Sequence, residues 1–385
     1  MSVTAAGGFR TAGVAAGIKA SGALDLALVV NDGPTNAAAG AFTRNQVKAA
    51  PVLWSQQVLT GRRLRAAVLN SGGANACTGP GGFQDTHATA ERVAAVLDCG
   101  AAEVAVCSTG LIGERLPLEA LLSGVDQAAA ALATTPEAGL AAATAVLTTD
   151  TVPKQAAVSR AGWTVGGFAK GAGMVAPSLA TMLCVLTTDA AVDGSLLNTV
   201  LRRATSETFD RLDIDGACST NDTVLLMASG ASSTVPDADE FAATVHQVCH
   251  QLVRSLQADA EGITKEIAIT VRGAVNNAEA LAAARAVARD NLVKTAFFGS
   301  DPNWGRIAAA TGASPATVHP ETLDVQINGV LLCQGGAVAA DRSKTDLSGR
   351  EITVEIDLHL GDGQATVLTT DLSHGYVEEN SAYSS

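Results

Sequence analysis

The chain is 385 residues long, 47% hydrophobic yet only 3% aromatic, and its 38 Asp and Glu against 25 Lys and Arg give a net charge of −13. That acidity excludes the usual nucleic-acid footprint, which needs clustered cations to neutralise phosphates. No uncharged apolar run reaches the roughly 18 residues of a membrane span, and no basic-then-apolar leader opens the chain, so a cytoplasmic protein is expected.

The abundance of Ala, Val and Leu suits helices packed closely on sheets, and the length suits two domains or one large α/β unit. Seven cysteines, at 77, 99, 107, 184, 218, 249 and 333, form no CxxC pair. Buried thiols are expected rather than a disulfide framework.

In chain order, a turn-rich lead-in from Gly8 runs into a strand over 24–30, with further strands over 37–44 and 46–52. A strand over 65–70 enters Ser71-Gly-Gly-Ala-Asn-Ala-Cys-Thr-Gly79. That loop reads either as a tight turn or as a nest of amides for an anion. It is not a Walker loop, because no Gly-Lys-Ser/Thr follows. An amphipathic helix over 85–97 and a strand over 103–107 lead to Ser108-Thr-Gly-Leu-Ile-Gly113. There Thr109 and Gly110 stand where a strand gives way to a turn, a natural place for outward-pointing amide donors. A helix follows from 116 to about 133. The word Val-Leu-Thr-Thr-Asp occurs at 146–150, 185–189 and 367–371, each copy read as a strand ending in capping side chains.

After a strand over 163–169 comes Lys170-Gly-Ala-Gly-Met-Val-Ala-Pro-Ser-Leu-Ala-Thr-Met-Leu-Cys184. Its glycines free the backbone, and Pro177 keeps the residues before Ala180 out of a central sheet, so an irregular bend is expected. Thr181 opens an apolar run to Leu186. One physical reading is an ordinary glycine loop feeding a core strand. The other is a self-cleaving junction: Thr181 attacks the Ala180 carbonyl, and after cleavage its free amine lies beside its own hydroxyl, an activated nucleophile.

Beyond it the pattern predicts a helix over 195–209, a polar turn over 213–222 and a strand over 223–229. The turn lacks EF-hand spacing. His246 and His250, four apart on a helix over 241–258, lack a third ligand, so no metal is expected. The word Ala258-Asp-Ala-Glu-Gly262 ends that helix. A strand over 265–272, a helix over 278–294 and the word Phe297-Phe-Gly-Ser-Asp-Pro-Asn-Trp-Gly-Arg306 follow, then strands near 323–327, 352–358 and 365–370. The tail over 376–385 is polar and reads as frayed.

Taken in order from Gly8 to Ser385, these words resemble the signature of the ornithine acetyltransferase (glutamate N-acetyltransferase) family of arginine biosynthesis. The resemblance implies an α/β fold, self-cleaving and N-terminal-nucleophile-like, layered αββα. It implies a cut at Ala180-Thr181 into an α fragment, 1–180, and a β fragment, 181–385, that stay interlocked and pair as a dimer of heterodimers. By resemblance Thr181 carries the acetyl group and Thr109 with Gly110 forms the oxyanion hole. Thr148, Lys170, Glu261, Asn380 and Ser385 would hold substrate, with Thr149 and Thr151 open as alternatives to Thr148. The implied reaction moves an acetyl group from N2-acetylornithine to glutamate without cofactor or metal, and some relatives also take acetyl-CoA. Two other readings stand beside it. One is a related self-cleaving amidohydrolase or aminopeptidase that passes its acyl group to water. The other is an uncleaved metabolite-binding or scaffold protein.

Overall fold

The computed structural model describes residues 2–176 and 182–382. Ala180, Thr181 and Ser385 lie outside them. The chain divides into two compact units, Met1–Asp210 with Ala217–Asp259, and Arg211–Gly216 with Ala260–Ser384.

The first unit holds two sheets. Phe9–Val14 (β1), Leu26–Asn31 (β2), Ala66–Asn70 (β4) and Val104–Ser108 (β5) form one, ordered β1-β2-β4-β5. Ala37–Phe42 (β3), Lys154–Arg160 (β6), Trp163–Lys170 (β7), Leu183–Thr188 (β8) and Thr223–Ala228 (β9) form the other, ordered β3-β9-β8-β7-β6. Side chains alternate across a strand, and that alternation sets the layers. Ala27, Val29, Ala67, Leu69 and Cys107 of the first sheet share one core with Phe168, Val185, Leu225 and Met227 of the second. The opposite face of the first sheet, including Leu28, Val68 and Val106, buries against Gly79–Leu97 (α2) and Leu118–Ala130 (α3). Gly194–Glu207 (α5) covers β3, and Ala238–Ala258 (α6) covers β6 and β7. The unit is therefore layered αββα.

Several elements of this unit depart from the sequence reading. Residues 46–52 do not continue a strand: Ala50–Val58 (α1) is a helix with Pro51 in its first turn, where a missing N–H costs nothing. Pro136–Ala145 (α4) occupies the inter-sheet core through Ala142, Ala143 and Ala145. The 146–150 copy of the repeated word follows α4 as a turn, whereas the other two copies lie in β8 and at the end of Gly363–Thr370 (β15).

The second unit is built on one six-stranded sheet. Glu266–Ala274 (β10), Asp324–Ile327 (β11), Val330–Gln334 (β12), Ala337–Val338 (β13) and Glu351–Asp357 (β14) join β15 in the order β13-β12-β11-β14-β10-β15. Helices Asn277–Arg289 (α7), Asn291–Phe298 (α8) and Trp304–Gly312 (α9) supply Ala284, Val293, Phe297 and Ile307 to its core. The single helix expected over 278–294 is two, because Asp290 is extended (ψ 114°) and caps α8 through the Val293 N–H at 2.9 Å. His374–Ala382 (α10) is helical, where the composition of the tail suggests fraying.

Lys294, 4% exposed, ties this unit together by donating to the carbonyls of Ile214 (2.9 Å) and Thr370 and to the Thr369 hydroxyl (3.1 Å). Burial pushes its ammonium down to about 8, against the pull of Asp213, Asp215 and Asp371. Between that value and the ordinary 10.5 the unfolded chain holds more protons than the folded one, so stability rises with pH there. The slope from one such group is at most about 1.4 kcal/mol per pH unit. The difference in unfolding free energy between the protein and Lys294→Met is expected to climb from pH 8 to 10.5 and to stay flat below pH 8. Urea titrations at a series of pH values measure it; a difference constant across that window rejects the burial effect.

Candidate active site

Thr109 follows β5, and both sides of its backbone are held. Its N–H donates to the Asn70 carbonyl (3.0 Å), and its carbonyl accepts from the Gly73 N–H (3.0 Å). Gly110 then turns at φ +127°, and a Cβ there would lie 2.5 Å from the Gly73 nitrogen, so only glycine fits. Among the described residues nothing accepts from the Gly110 N–H. The loop over 71–79 is the brace for this turn. Its Ser71, Gly73 and Ala74 amides donate to the carbonyls of Asp25 (2.9 Å), Thr109 (3.0 Å) and Leu111 (2.9 Å). Three amides of the loop are thereby spent on carbonyls, which favours its reading as a tight turn.

Lys170 ends β7 and is 1% exposed. Its Nζ donates to Thr109 Oγ1 at 3.0 Å and to Thr148 Oγ1 at 2.9 Å. Burial pushes the ammonium below its ordinary range, while Asp150 pulls the other way. Because the Thr109 hydroxyl accepts from Lys170, its own proton is free for another acceptor.

Asp150 backs the group. It accepts from the Gly171 N–H (2.7 Å) and the Thr148 N–H (3.3 Å) and pairs with Lys154 (2.5 Å). Burial opposes its ionisation, but Lys170 and Lys154 hold the carboxyl below the usual carboxylate range. Lys154 also reaches Asp259 at 2.5 Å, and the Thr151 hydroxyl is committed to the same carboxylate. Thr148, rather than Thr151, therefore meets Lys170. Lys19 fixes the preceding residue by donating to the Leu147 carbonyl at 2.7 Å.

In the second unit Asn380, on α10, donates through Nδ2 to Glu261 Oε2 at 2.8 Å and to the Tyr376 carbonyl at 3.0 Å. Gly262 permits this docking: at φ +59°, a Cβ would stand 2.0 Å from the Tyr376 nitrogen. Burial, together with Asp215 and Glu261, pushes the Tyr376 phenol up.

The described residues thus bring Thr109, Gly110, Thr148 and Lys170 together in one unit and Glu261 with Asn380 in the other. Sequence reasoning missed Asp150, Lys154 and the pair Asn221 and Asp222. The Asp150 and Lys154 spacing, four residues apart with opposite charge, was a visible signal; the turn that makes it an ion pair was not. Among the described residues no three His, Cys, Asp or Glu are arranged to hold a metal ion, and His246 stacks on His250 with ring centroids 6.4 Å apart.

Residues 10–385 match the ArgJ family. The arginine biosynthesis bifunctional protein ArgJ of Mycolicibacterium paratuberculosis is 64% identical over 100% of this chain and 96% of its own length. That of Mycobacterium tuberculosis is 62% identical with the same coverage, and that of Thermobifida fusca 58% identical over the whole of both chains. A crystal structure of ornithine acetyltransferase complexed with ornithine, from Mycobacterium tuberculosis, is 68% identical to this chain. It covers 46% of this chain and 95% of its own, with a TM-score of 0.46. On the match over nearly its full length, the chain belongs to the ArgJ family.

Proposed function

We propose that this chain is the acetyltransferase of arginine biosynthesis that moves an acetyl group from N2-acetylornithine to glutamate, with Thr181 as nucleophile. What supports the site is a buried lysine amine bridging the Thr109 and Thr148 hydroxyls, beside a Gly110 amide with no acceptor among the described residues.

Thr181 Oγ attacks the acetyl carbonyl, and the Thr181 α-amine takes the hydroxyl proton. The oxyanion of the tetrahedral intermediate accepts from the Thr109 hydroxyl and the Gly110 N–H. As it collapses, the bond from the acetyl carbon to ornithine nitrogen breaks, and that nitrogen receives the proton. Ornithine leaves, leaving an acetyl ester on Thr181. The glutamate amine attacks this ester, the C–Oγ bond breaks, and Oγ regains a proton. Lys170 and Thr148 hold substrate at one side, and Glu261, Asn380 and Ser385 bind the charged end. Fragments 1–180 and 181–385 stay joined because β7 pairs with β8 across the junction, from Val165 opposite Thr188 to Lys170 opposite Leu183. The enzyme acts in the cytoplasm as a dimer of heterodimers, and acetyl-CoA serves as a second donor.

Product analysis with acetylornithine, with and without glutamate, tests the reading. N-acetylglutamate should form with parallel-line, two-substrate kinetics; free acetate with no N-acetylglutamate would mean a hydrolase instead. Replacing acetylornithine by acetyl-CoA tests the second donor. Asn380→Ala should raise the KM for acetylornithine about 10-fold with little change in kcat, since a hydrogen bond to a charged group is worth about 1.5–3 kcal/mol. An unchanged KM would take Asn380 out of the site.

A further inference from the structure

One short turn, 219–223, touches two of the segments this chemistry depends on. Asn221 is 4% exposed, and its Nδ2 donates to the carbonyls of Ala74 (2.6 Å) and Ser108 (2.8 Å). The first lies in the loop that braces the 109–111 turn; the second immediately precedes Thr109. The Asn221 Oδ1 accepts from the Thr220 hydroxyl at 2.6 Å, which fixes the orientation of the amide. Asp222 comes next and is 0% exposed. Its Oδ1 accepts from the Met182 N–H at 3.1 Å, and the Met182 carbonyl in turn accepts from the Thr223 N–H at 2.9 Å. Met182 is the residue that follows Thr181.

Asp222 is an expensive choice for this position. Its Oδ2 has no hydrogen-bond partner among the described residues, although it is buried. Burial pushes the carboxyl well above the usual carboxylate range, against the pull of the Met182 N–H and Lys170. A buried polar atom left without a partner costs stability that an apolar side chain of the same size would not. Neighbouring side chains entering a strand point to opposite sides. Adjacent residues can therefore grip two separate segments from one turn.

We propose that Asn221 and Asp222 are the positioning residues of the acetyl transfer. Asn221 fixes the backbone that presents Thr109 and Gly110, Asp222 fixes the start of β8 at Met182, the residue after Thr181, and one turn thereby holds both segments together. The inference rests on Thr181 being the nucleophile. Neither side chain touches substrate. Their effect is geometric, and transfer rates fall steeply when reacting groups are misplaced by about 1 Å.

The test compares Asp222→Asn, Asp222→Ala and Asn221→Asp with the unaltered enzyme and with Thr181→Ala, reading chain cleavage, kcat, KM and thermal unfolding. Asp222→Asn keeps an oxygen acceptor for the Met182 N–H, so it should cleave and retain kcat within about fivefold. Asp222→Ala loses the anchor, and Asn221→Asp turns two donated bonds into oxygen facing oxygen. Each should lower kcat about 10²-fold while the KM for acetylornithine moves less than about threefold, a split that general loss of structure would not produce. Should Asp222→Ala fail to fold, Asn221→Ser, which no longer reaches either carbonyl and adds no charge, carries the same expectation. A folded Asn221→Asp with normal kcat overturns the proposal. So does an Asp222→Asn as crippled as Asp222→Ala, since proton exchange rather than position would then be the requirement. Activity in Thr181→Ala removes the nucleophile itself and this device with it. An inactive Thr181→Ala beside a fully active Asn221→Asp sinks the positioning role alone.

Discussion

Thr181→Ala is expected to run on a denaturing gel as one chain of 385 residues, where the unaltered protein should give fragments of 180 and 205 residues. Acetyl transfer in the variant should fall to background. Both outcomes follow from one oxygen. In cleavage, Thr181 Oγ bonds to the Ala180 carbonyl carbon, the amide C–N bond breaks, and the hydroxyl proton moves to the freed amine. Water then opens the ester, leaving a carboxylate on Ala180. On the proposed mechanism the same hydroxyl, now beside that amine, then takes up the acetyl group. Alanine has no oxygen for either step, and removing a nucleophile costs on the order of 10⁶ in rate where it has been measured. Thr181→Ser keeps the oxygen but loses the methyl that restricts χ1, so it should cleave and turn over more slowly. Mass spectrometry of the unaltered protein given acetylornithine alone should find one acetyl group on the 205-residue fragment. A cleaved and active Thr181→Ala would falsify the nucleophile assignment.

What could be read ahead of the structure was whatever is written locally. Strands β2, β4, β5, β8 and β9 are apolar runs bounded by turn residues, so period and composition place them. Thr109, Gly110 and Lys170 could be placed at strand ends from the local pattern, while their roles came only from the family resemblance of the words they stand in. Helices α1 and α10 hid for opposite reasons. The short α1 has Pro51 beside Val52 and Leu53, which reads as extended chain until the first-turn position of the proline is known. α10 has no buried residue among those described, so its own composition predicts fraying. Its order comes instead from contacts made through Asn380 and the Tyr376 backbone. Asp222 shows the limit most clearly. In the sequence it is one more carboxylate in a polar turn; only the fold puts it at 0% exposure with its Oδ1 on Met182. Likewise, three threonines share the stretch from 148 to 151. The choice among them rests on which hydroxyl the buried lysine reaches, a contact between residues 22 apart.

That same lysine sharpens what Thr109→Ala should do. Lys170 donates to the Thr109 hydroxyl at 3.0 Å, so the hydroxyl is an acceptor on that side and can direct its own proton only to a second group. On the proposed mechanism that group is the oxyanion of the tetrahedral intermediate, and the neighbouring Lys170 amine polarises the donor. Thr109→Ala should therefore lower kcat by roughly 10²–10³-fold, the usual effect of losing one oxyanion donor. The KM values for acetylornithine and glutamate should change little, because the lost bond belongs to the transition state. The Gly110 N–H remains, which is why the loss should stop short of the collapse expected for Thr181→Ala. Removing the hydroxyl also deprives buried Lys170 of one of its two acceptors among the described residues, so some fall in stability accompanies the change, and thermal unfolding must be measured alongside. Thr109→Ser separates the two effects, since it restores the hydroxyl to both partners and should recover most of the turnover. If Thr109→Ala instead keeps its kcat and raises either KM, the hydroxyl binds substrate and the oxyanion must be held by the Gly110 amide and another donor.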